Sequence, residues 1–295
     1  MSTTPLTDAV IETRTHEPER IAQALADRPR GQMPKDGKPL MIIACDHPAR
    51  GALAAGKDPL AMASREEVLA RCVEALSRPG VDGFLGTADL IEDLTLLGAL
   101  DNKLVYGSMN RGGLAGASFE MDDRFTGYTA AGVKRAGLDG GKMLMRINYE
   151  DKFTARTLEA CANAVEDLAE QRVMAMVEPF ISTWKDGRIV NDLSPEAVIK
   201  SMAIASGLAS TSAYTWLKLP AVDDMERVME ASTLPALILG GEVKDDAEAA
   251  MNSWGKALSL PNVKGLVIGR SLLFPANGDV AAAVDTTVSI INESH

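Results

Sequence analysis

Lys218 sits near the end of the apolar run Tyr214-Thr-Trp-Leu-Lys-Leu-Pro220, which places an amine on a strand just ahead of a proline stop. Such an amine attacks a carbonyl only when it has lost its proton, which calls for apolar surroundings or a second cation nearby. Trp216, Leu217 and Leu219 offer the first, and Lys142 and Arg146 offer the second from a strand where they share one side-chain parity. Glu178 closes the run Val173-Met-Ala-Met-Val-Glu178 before Pro179. A carboxyl capping an apolar strand is expected to have a raised pKa and to shuttle protons for carbinolamine chemistry. Asp46 and His47 follow the run Met41-Ile-Ile-Ala-Cys45, where a carboxylate can bond substrate hydroxyls or help position the amine. The bland alternatives are a solvated lysine paired with Asp223 or Asp224, a structural salt-bridged glutamate, and a loop-capping aspartate.

Two glycine signals follow the lysine. Leu239-Gly-Gly-Glu-Val243 and Val267-Ile-Gly-Arg-Ser271 each close a short apolar run. Gly240, Gly241 and Gly269 let backbone N–H groups approach an anion, and Arg270 adds a forked cationic donor. An amine nucleophile followed by a phosphate cradle is the order a sugar-phosphate aldolase needs. Asn110 lies in a further polar loop with Arg111, Gly112 and Gly113, and Arg146 or Arg111 is placed to hold a carboxylate or sulfonate.

Strands must position these groups, and the chain repeats one unit from Leu40 onward: a short apolar strand, a turn and an amphipathic helix. The strands are expected at Leu40–Cys45, Gly83–Gly86, Leu104–Gly107, Met143–Ile147, Val173–Val177, Tyr214–Leu219, Ala236–Leu239 and Leu266–Ile268. Helical patterns at Arg65–Ser77, Thr154–Gln171, Pro195–Leu208, Asp223–Ala231 and Asp245–Ala257 suit right-handed crossovers between parallel strands. The expected fold is therefore an α/β (β/α)8 barrel over residues 39–295, preceded by an extension at 1–38 with one helix from Glu17 to Asp27. An open doubly wound sheet is the rival. What favours the barrel is that Asp46, Asn110, Arg146, Glu178, Lys218 and Arg270 all fall at or just past strand C-termini, which in a barrel converge on one mouth.

Composition bounds the partners. A net charge of -11 in 295 residues argues against nucleic acid as a default, and no apolar run approaches a membrane span or an export signal. A cytoplasmic enzyme with a phosphorylated small-molecule sugar substrate is expected. Self-association is left open. Cys45, Cys72 and Cys161 have no metal-like spacing and are expected as reduced thiols. His47 is the lone barrel histidine, since His16 and His295 fall in terminal segments, so neither a metal nor an organic cofactor is expected. Met143, Met145, Met174 and Met176 read as core filler, and Trp184 and Lys185, with Asp186 and Gly187, as an exposed loop.

With these residues in place, the chain resembles, from about Pro39 to Ser271, the class I aldolases of the deoxyribose-phosphate, tagatose-bisphosphate and archaeal-type fructose-bisphosphate group. The resemblance implies a Schiff-base lysine on the sixth strand, at Lys218, and a phosphate site at Gly240, Gly241, Gly269 and Arg270. Gly141-Lys-Met-Leu-Met-Arg146 and Met176-Val-Glu-Pro179 are similar to the fourth- and fifth-strand segments of tagatose-bisphosphate aldolase, which gives Lys142 and Glu178 the corresponding roles. Arg146-Ile-Asn-Tyr-Glu150 and Ser108-Met-Asn-Arg-Gly-Gly113 depart from that pattern. The chain also resembles aldolase-like proteins of inositol catabolism, which implies cleavage of 2-deoxy-5-keto-gluconate 6-phosphate to dihydroxyacetone phosphate and malonate semialdehyde. Deoxyribose phosphate, fructose or tagatose bisphosphate and sulfofructose phosphate are the other substrates in view. A phosphate-binding isomerase or epimerase, with Glu178 as base and no covalent lysine, and a non-catalytic sugar-phosphate sensor are the rival functions.

Overall fold

The computed structural model describes residues 5–240 and 247–294. Eight parallel strands are separated by helices in chain order: β1 (Leu40–Cys45), β2 (Gly83–Gly86), β3 (Leu104–Ser108), β4 (Gly140–Ile147), β5 (Met174–Lys185), β7 (Thr215–Pro220), β8 (Ala236–Leu239) and β9 (Val263–Ile268). Each pairs in parallel with its neighbour around the ring, and β4 pairs with β5 to close it. This closure is what an open doubly wound sheet lacks. The fold is a (β/α)8 barrel.

Alternation along the strands creates two cores. Leu40, Ile42, Ala44, Leu85, Leu104, Tyr106, Met176, Leu237 and Val267 point inward and fill the barrel. Met41, Ile43, Val105, Met143, Met145, Val177, Leu217, Ile238 and Leu266 point outward against the helices. Of the four expected core methionines, Met143 and Met145 thus serve the outer layer and Met176 the inner, with Met174 packed against it.

Outside the barrel lie α3 (Arg65–Ser77), α4 (Ala88–Leu96), α5 (Ala130–Arg135), α6 (Phe153–Glu170), α7 (Pro195–Ser206), α8 (Met225–Glu230), α9 (Ala247–Leu258), the short α10 (Arg270–Leu273) and α11 (Val280–Glu293). Local chemistry sets several starts. Ser64 accepts from the Glu67 N–H to cap α3, Ser194 does the same for α7 with Pro195 in its first turn, and Asp279 caps α11.

Two features differ from the sequence expectation. The N-terminal extension holds two helices, α1 (Leu6–His16) and α2 (Glu19–Asp27), where one was expected. In α1 only Val10 and Thr13 are buried, so its apolar period is faint. It is tied down by polar contacts: the Leu6 and Thr7 N–H groups donate to Glu66, and Arg14 pairs with Glu92 and Asp93. The second difference is at Trp184 and Lys185, which belong to β5. That strand continues past the barrel and pairs antiparallel with β6 (Arg188–Asn191). Asp186 and Gly187 both have positive φ, 50° and 74°, as a tight two-residue hairpin turn requires.

Among the described residues no helix is long and apolar enough to cross a membrane. Cys45, Cys72 and Cys161 are free and buried.

Candidate active site

The C-terminal ends of β1, β3, β4, β5 and β7 bring five charged side chains and one hydroxyl together. Lys142 on β4 lies across the ladder from the inward-facing Met176, and Glu178 on β5 and Lys218 on β7 follow Met176 and Trp216 by two residues, so all three share the inward parity. Glu178 is the hub. Its Oε1 pairs with the Lys218 ammonium and its Oε2 with that of Lys142. Lys142 Nζ also lies 3.2 Å from Asp46 Oδ2, the oxygen that accepts from Ser108 Oγ at 3.0 Å. Arg111 Nη2 approaches this same oxygen at 3.2 Å, from the loop after β3.

The electrostatics follow from burial against proximity. Burial would raise the pKa of Glu178, but its two ammonium neighbours outweigh this and hold it down to about 2. This corrects the expectation of a raised pKa: Glu178 is held as an ionised carboxylate by its two lysines. Burial opposes ionisation of Asp46 as well, yet Arg111, Lys142 and Lys218 keep it well below the usual carboxylate range. Lys142 is pushed down by burial and by Arg111, with Asp46 and Glu178 pulling the other way. His47 drops to about 3, first through burial and then through Arg270, Arg111 and Lys218, against the pull of Asp46. It is neutral at physiological pH.

Asn110 and Arg146 do a different job from the substrate contact expected of them. Asn110 Nδ2 donates to the Leu144 and Asp123 carbonyls, and its Oδ1 accepts from the Leu144 N–H. Arg146 Nε donates to Asp123 Oδ2 at 2.9 Å, Nη2 reaches Asp123 Oδ1 at 2.6 Å, and Nη1 reaches Glu120 Oε1 at 3.2 Å. Both residues therefore fasten the 109–128 loop over the barrel mouth. Arg50 completes the clamp on Glu120 and the Gly113 carbonyl. A Cβ on Gly113 would collide with the Glu120 backbone and the Arg146 guanidinium, so only glycine fits there.

At the ends of β8 and β9, Gly240, Gly269, Arg270, Ser271 and His47 are contiguous. A Cβ on Gly240 would lie 3.4 Å from Ser271 Oγ, and one on Gly269 would lie 3.1 Å from His47 Cε1. Arg270 Nε, Ser271 Oγ and His47 Nδ1 are all buried without a hydrogen-bond partner. Three orphaned polar atoms beside two glycines form a receptive set of donors. Gly241 lies outside the described residues. Ser271 was missed in the sequence, where its place directly after Gly269-Arg270 was the available signal.

A cavity of about 450 Å³ opens between Arg30, Tyr106, Arg172, Met174 and Trp216. Those residues mark the opposite end of the barrel, away from the lysines. Among the described residues no three or more His, Cys, Asp or Glu side chains are grouped to hold a metal ion.

The (β/α)8 barrel is a fold that solved structures of other proteins share. An archaeal fructose 1,6-bisphosphate aldolase shares it with a TM-score of 0.65 at 16% identity, over 92% of this chain and 99% of that one. A second archaeal fructose-1,6-bisphosphate aldolase, with its catalytic lysine covalently bound to the carbinolamine intermediate, gives a TM-score of 0.63 at 16% identity, over 93% and 98%. The sequence profile of the Cgl0159-like family matches residues 38–288, and the chain belongs to that family. Cgl0159 from Corynebacterium glutamicum (Brevibacterium flavum) is 52% identical and superposes with a TM-score of 0.96 over 99% of each chain. No curated protein matches the chain by sequence.

Proposed function

We propose that this protein is a carbon-carbon lyase, a class I aldolase that works through a Schiff base on Lys218. The observation that carries the reading is the bridge Lys218–Glu178–Lys142 at the mouth of an aldolase-like barrel, with Lys218 on the sixth strand of the ring. A buried carboxylate touching the candidate nucleophile is a ready proton acceptor, and the second lysine keeps that carboxylate ionised.

Lys218 Nζ, as the free amine, adds to a substrate ketone. Its ammonium proton has first passed to Glu178; after addition one proton moves from nitrogen to the alkoxide oxygen, and Glu178 returns its proton to the hydroxyl as it departs, so that water leaves and an iminium remains. That iminium accepts the electron pair of the breaking carbon-carbon bond as the departing hydroxyl loses its proton and becomes an aldehyde. The resulting enamine is reprotonated at carbon and hydrolysed to release the ketone product. Each step needs one acceptor or donor near the nitrogen, and Glu178 is in place for it. The reaction calls for neither metal nor organic cofactor.

The substrate phosphate is assigned to Gly240, Gly269, Arg270 and Ser271, on the strength of the unpartnered Arg270 Nε and Ser271 Oγ beside the two glycines. Within this class, 2-deoxy-5-keto-gluconate 6-phosphate, cleaved to dihydroxyacetone phosphate and malonate semialdehyde, is the substrate we favour. Location in the cytoplasm and metal independence belong to the same proposal.

The test is borohydride trapping. Incubation with phosphorylated ketoses and sodium borohydride should leave a stable mass increment on the peptide carrying Lys218. An isomerase or epimerase using Glu178 as base would turn over its substrate and leave no increment.

A further inference from the structure

Arg111 is the one arginine of the cluster, and its bonding is unfinished. Its side chain is 6% exposed, and its Nε donates to the neighbouring Asn110 carbonyl at 2.9 Å. Its Nη2 lies 3.2 Å from Asp46 Oδ2, close enough for charge attraction, yet it is not aligned as a hydrogen-bond donor and is left without a partner. Asp46 Oδ2 already receives Ser108 and Lys142. Of the other arginines near the mouth, Arg146 is committed to Asp123 and Glu120 and Arg50 to Glu120 and the Gly113 carbonyl, while Arg270, whose Nη1 donates to the Ala54 carbonyl, belongs to the phosphate set assigned above.

The charge count points the same way. Lys142, Arg111 and the Lys218 nitrogen, which is cationic again in the iminium, face Asp46 and Glu178, three cations against two carboxylates, and all five side chains are buried. A buried guanidinium that keeps donors free beside a net positive cluster is favourable when an anion joins it. The phosphate assigned above is served by separate donors at Gly240, Gly269, Arg270 and Ser271. The unmatched charge at Arg111 is therefore left for a second anionic group.

We propose that Arg111 reads a carboxylate on the substrate, so that the enzyme takes keto-acid phosphates in preference to neutral ketose phosphates. Arg111 is then a specificity-determining residue, held in place by the 109–128 loop that Asn110 and Arg146 fasten. This rests on the Schiff-base reading and narrows its substrate class.

The experiment compares matched probes on the intact protein: 4-oxopentanoate and 5-oxohexanoate, each beside its methyl ester, with borohydride trapping read by mass. Wild type should reach half-maximal labelling of Lys218 at an acid concentration about tenfold or more below that of the ester. Arg111→Met should bring the two within about twofold, and Arg111→Lys should keep part of the preference. Equal labelling by acid and ester in wild type overturns the proposal whether or not the variants fold. An acid preference that survives in Arg111→Met overturns it too, by placing the reader elsewhere. Both failures leave the Schiff base standing, whereas wild-type protein that labels with none of the four probes and none of the phosphorylated ketoses defeats the Schiff-base reading and this proposal together.

Discussion

Lys142 and Lys218 hold opposite oxygens of one carboxylate, the first on Oε2 of Glu178 and the second on Oε1. The arrangement makes the two lysines unequal. Lys142 has a second carboxylate, Asp46, on its far side and is 2% exposed, whereas Lys218 is 9% exposed and Glu178 is its sole salt-bridge partner among the described residues. Lys218, the lysine with fewer partners, is the one we propose as the nucleophile.

Lys218→Met should abolish borohydride labelling while the barrel stays folded, since the change keeps the stem and removes the amine. Lys142→Met should leave the label on Lys218 and slow turnover by about a hundredfold, because Glu178 loses one of the two charges that keep it ionised. Peptide mapping decides; a label that moves to or stays on Lys142 reverses the assignment.

Arg270→Ala should raise KM for the phosphorylated substrate, with a loss of about 1.5–3 kcal/mol, the range for a charge-assisted hydrogen bond. Gly240→Val should do at least as much harm, since even a Cβ there would lie 2.6 Å from Ile268 Cγ2. Kinetics with phosphorylated and dephosphorylated substrates separate the outcomes. Equal damage to both would remove the phosphate assignment.

Arg146→Met tests the loop anchor. Removing the guanidinium strands Asp123, which is 2% exposed, and leaves Glu120 with Arg50 as its cation. Breaking one side of a buried charge cluster costs about 3–5 kcal/mol, to be read as a lower urea midpoint. A midpoint unchanged within error would mean the loop is held by other contacts.

Acid should weaken the fold in two stages. His47 has a folded pKa of about 3 against an ordinary 6.5, so below pH 6.5 the unfolded chain binds the proton first and stability falls as pH drops toward 3. The slope cannot exceed about 1.4 kcal/mol per pH unit for one proton, and it should be shallower because the His47 ring is 27% exposed. Glu178, lowered from 4.5 to about 2, contributes stability that is present above 4.5 and lost as pH falls through 2. Urea midpoints of wild type and His47→Gln between pH 7 and 4.5 isolate the first stage, since the slope in that window should flatten in the variant.

The eight strands were legible in the sequence as short apolar runs, and the expected Arg65–Ser77 helix matches α3 at both ends, but β4 and β9 each begin three residues before their expected starts because Gly140, Gly141, Lys142, Lys264 and Gly265 interrupt the apolar pattern there. Asp46, Glu178 and Lys218 could be read from their places at the ends of apolar runs, and Lys142 from the parity it shares with Arg146. The β5–β6 hairpin was also written there, in the Asp186-Gly187 pair, but its strands carry polar residues and looked like loop. Contacts across long loops were not legible. Nothing near Arg146 in the sequence announces Glu120 and Asp123 as its partners, some 25 residues away. The direction of the Glu178 shift was hidden for the same reason, because it depends on two lysines from different strands meeting one side chain.

The ladder between β4 and β5 runs for eight residue pairs, from Gly140 with Met174 to Ile147 with Ile181. Lys142 and Glu178 sit inside that ladder, so their spacing is written into main-chain hydrogen bonds and does not depend on how the surrounding side chains pack. Slippage by a single residue would turn one of the two toward the helices and end the pairing altogether. Sequence drift among the outward-facing residues can therefore reshape the helix layer while the reacting groups keep their separation. New substrate preferences can then arise in the 109–128 loop, where Arg111 resides, without disturbing the pair beneath it.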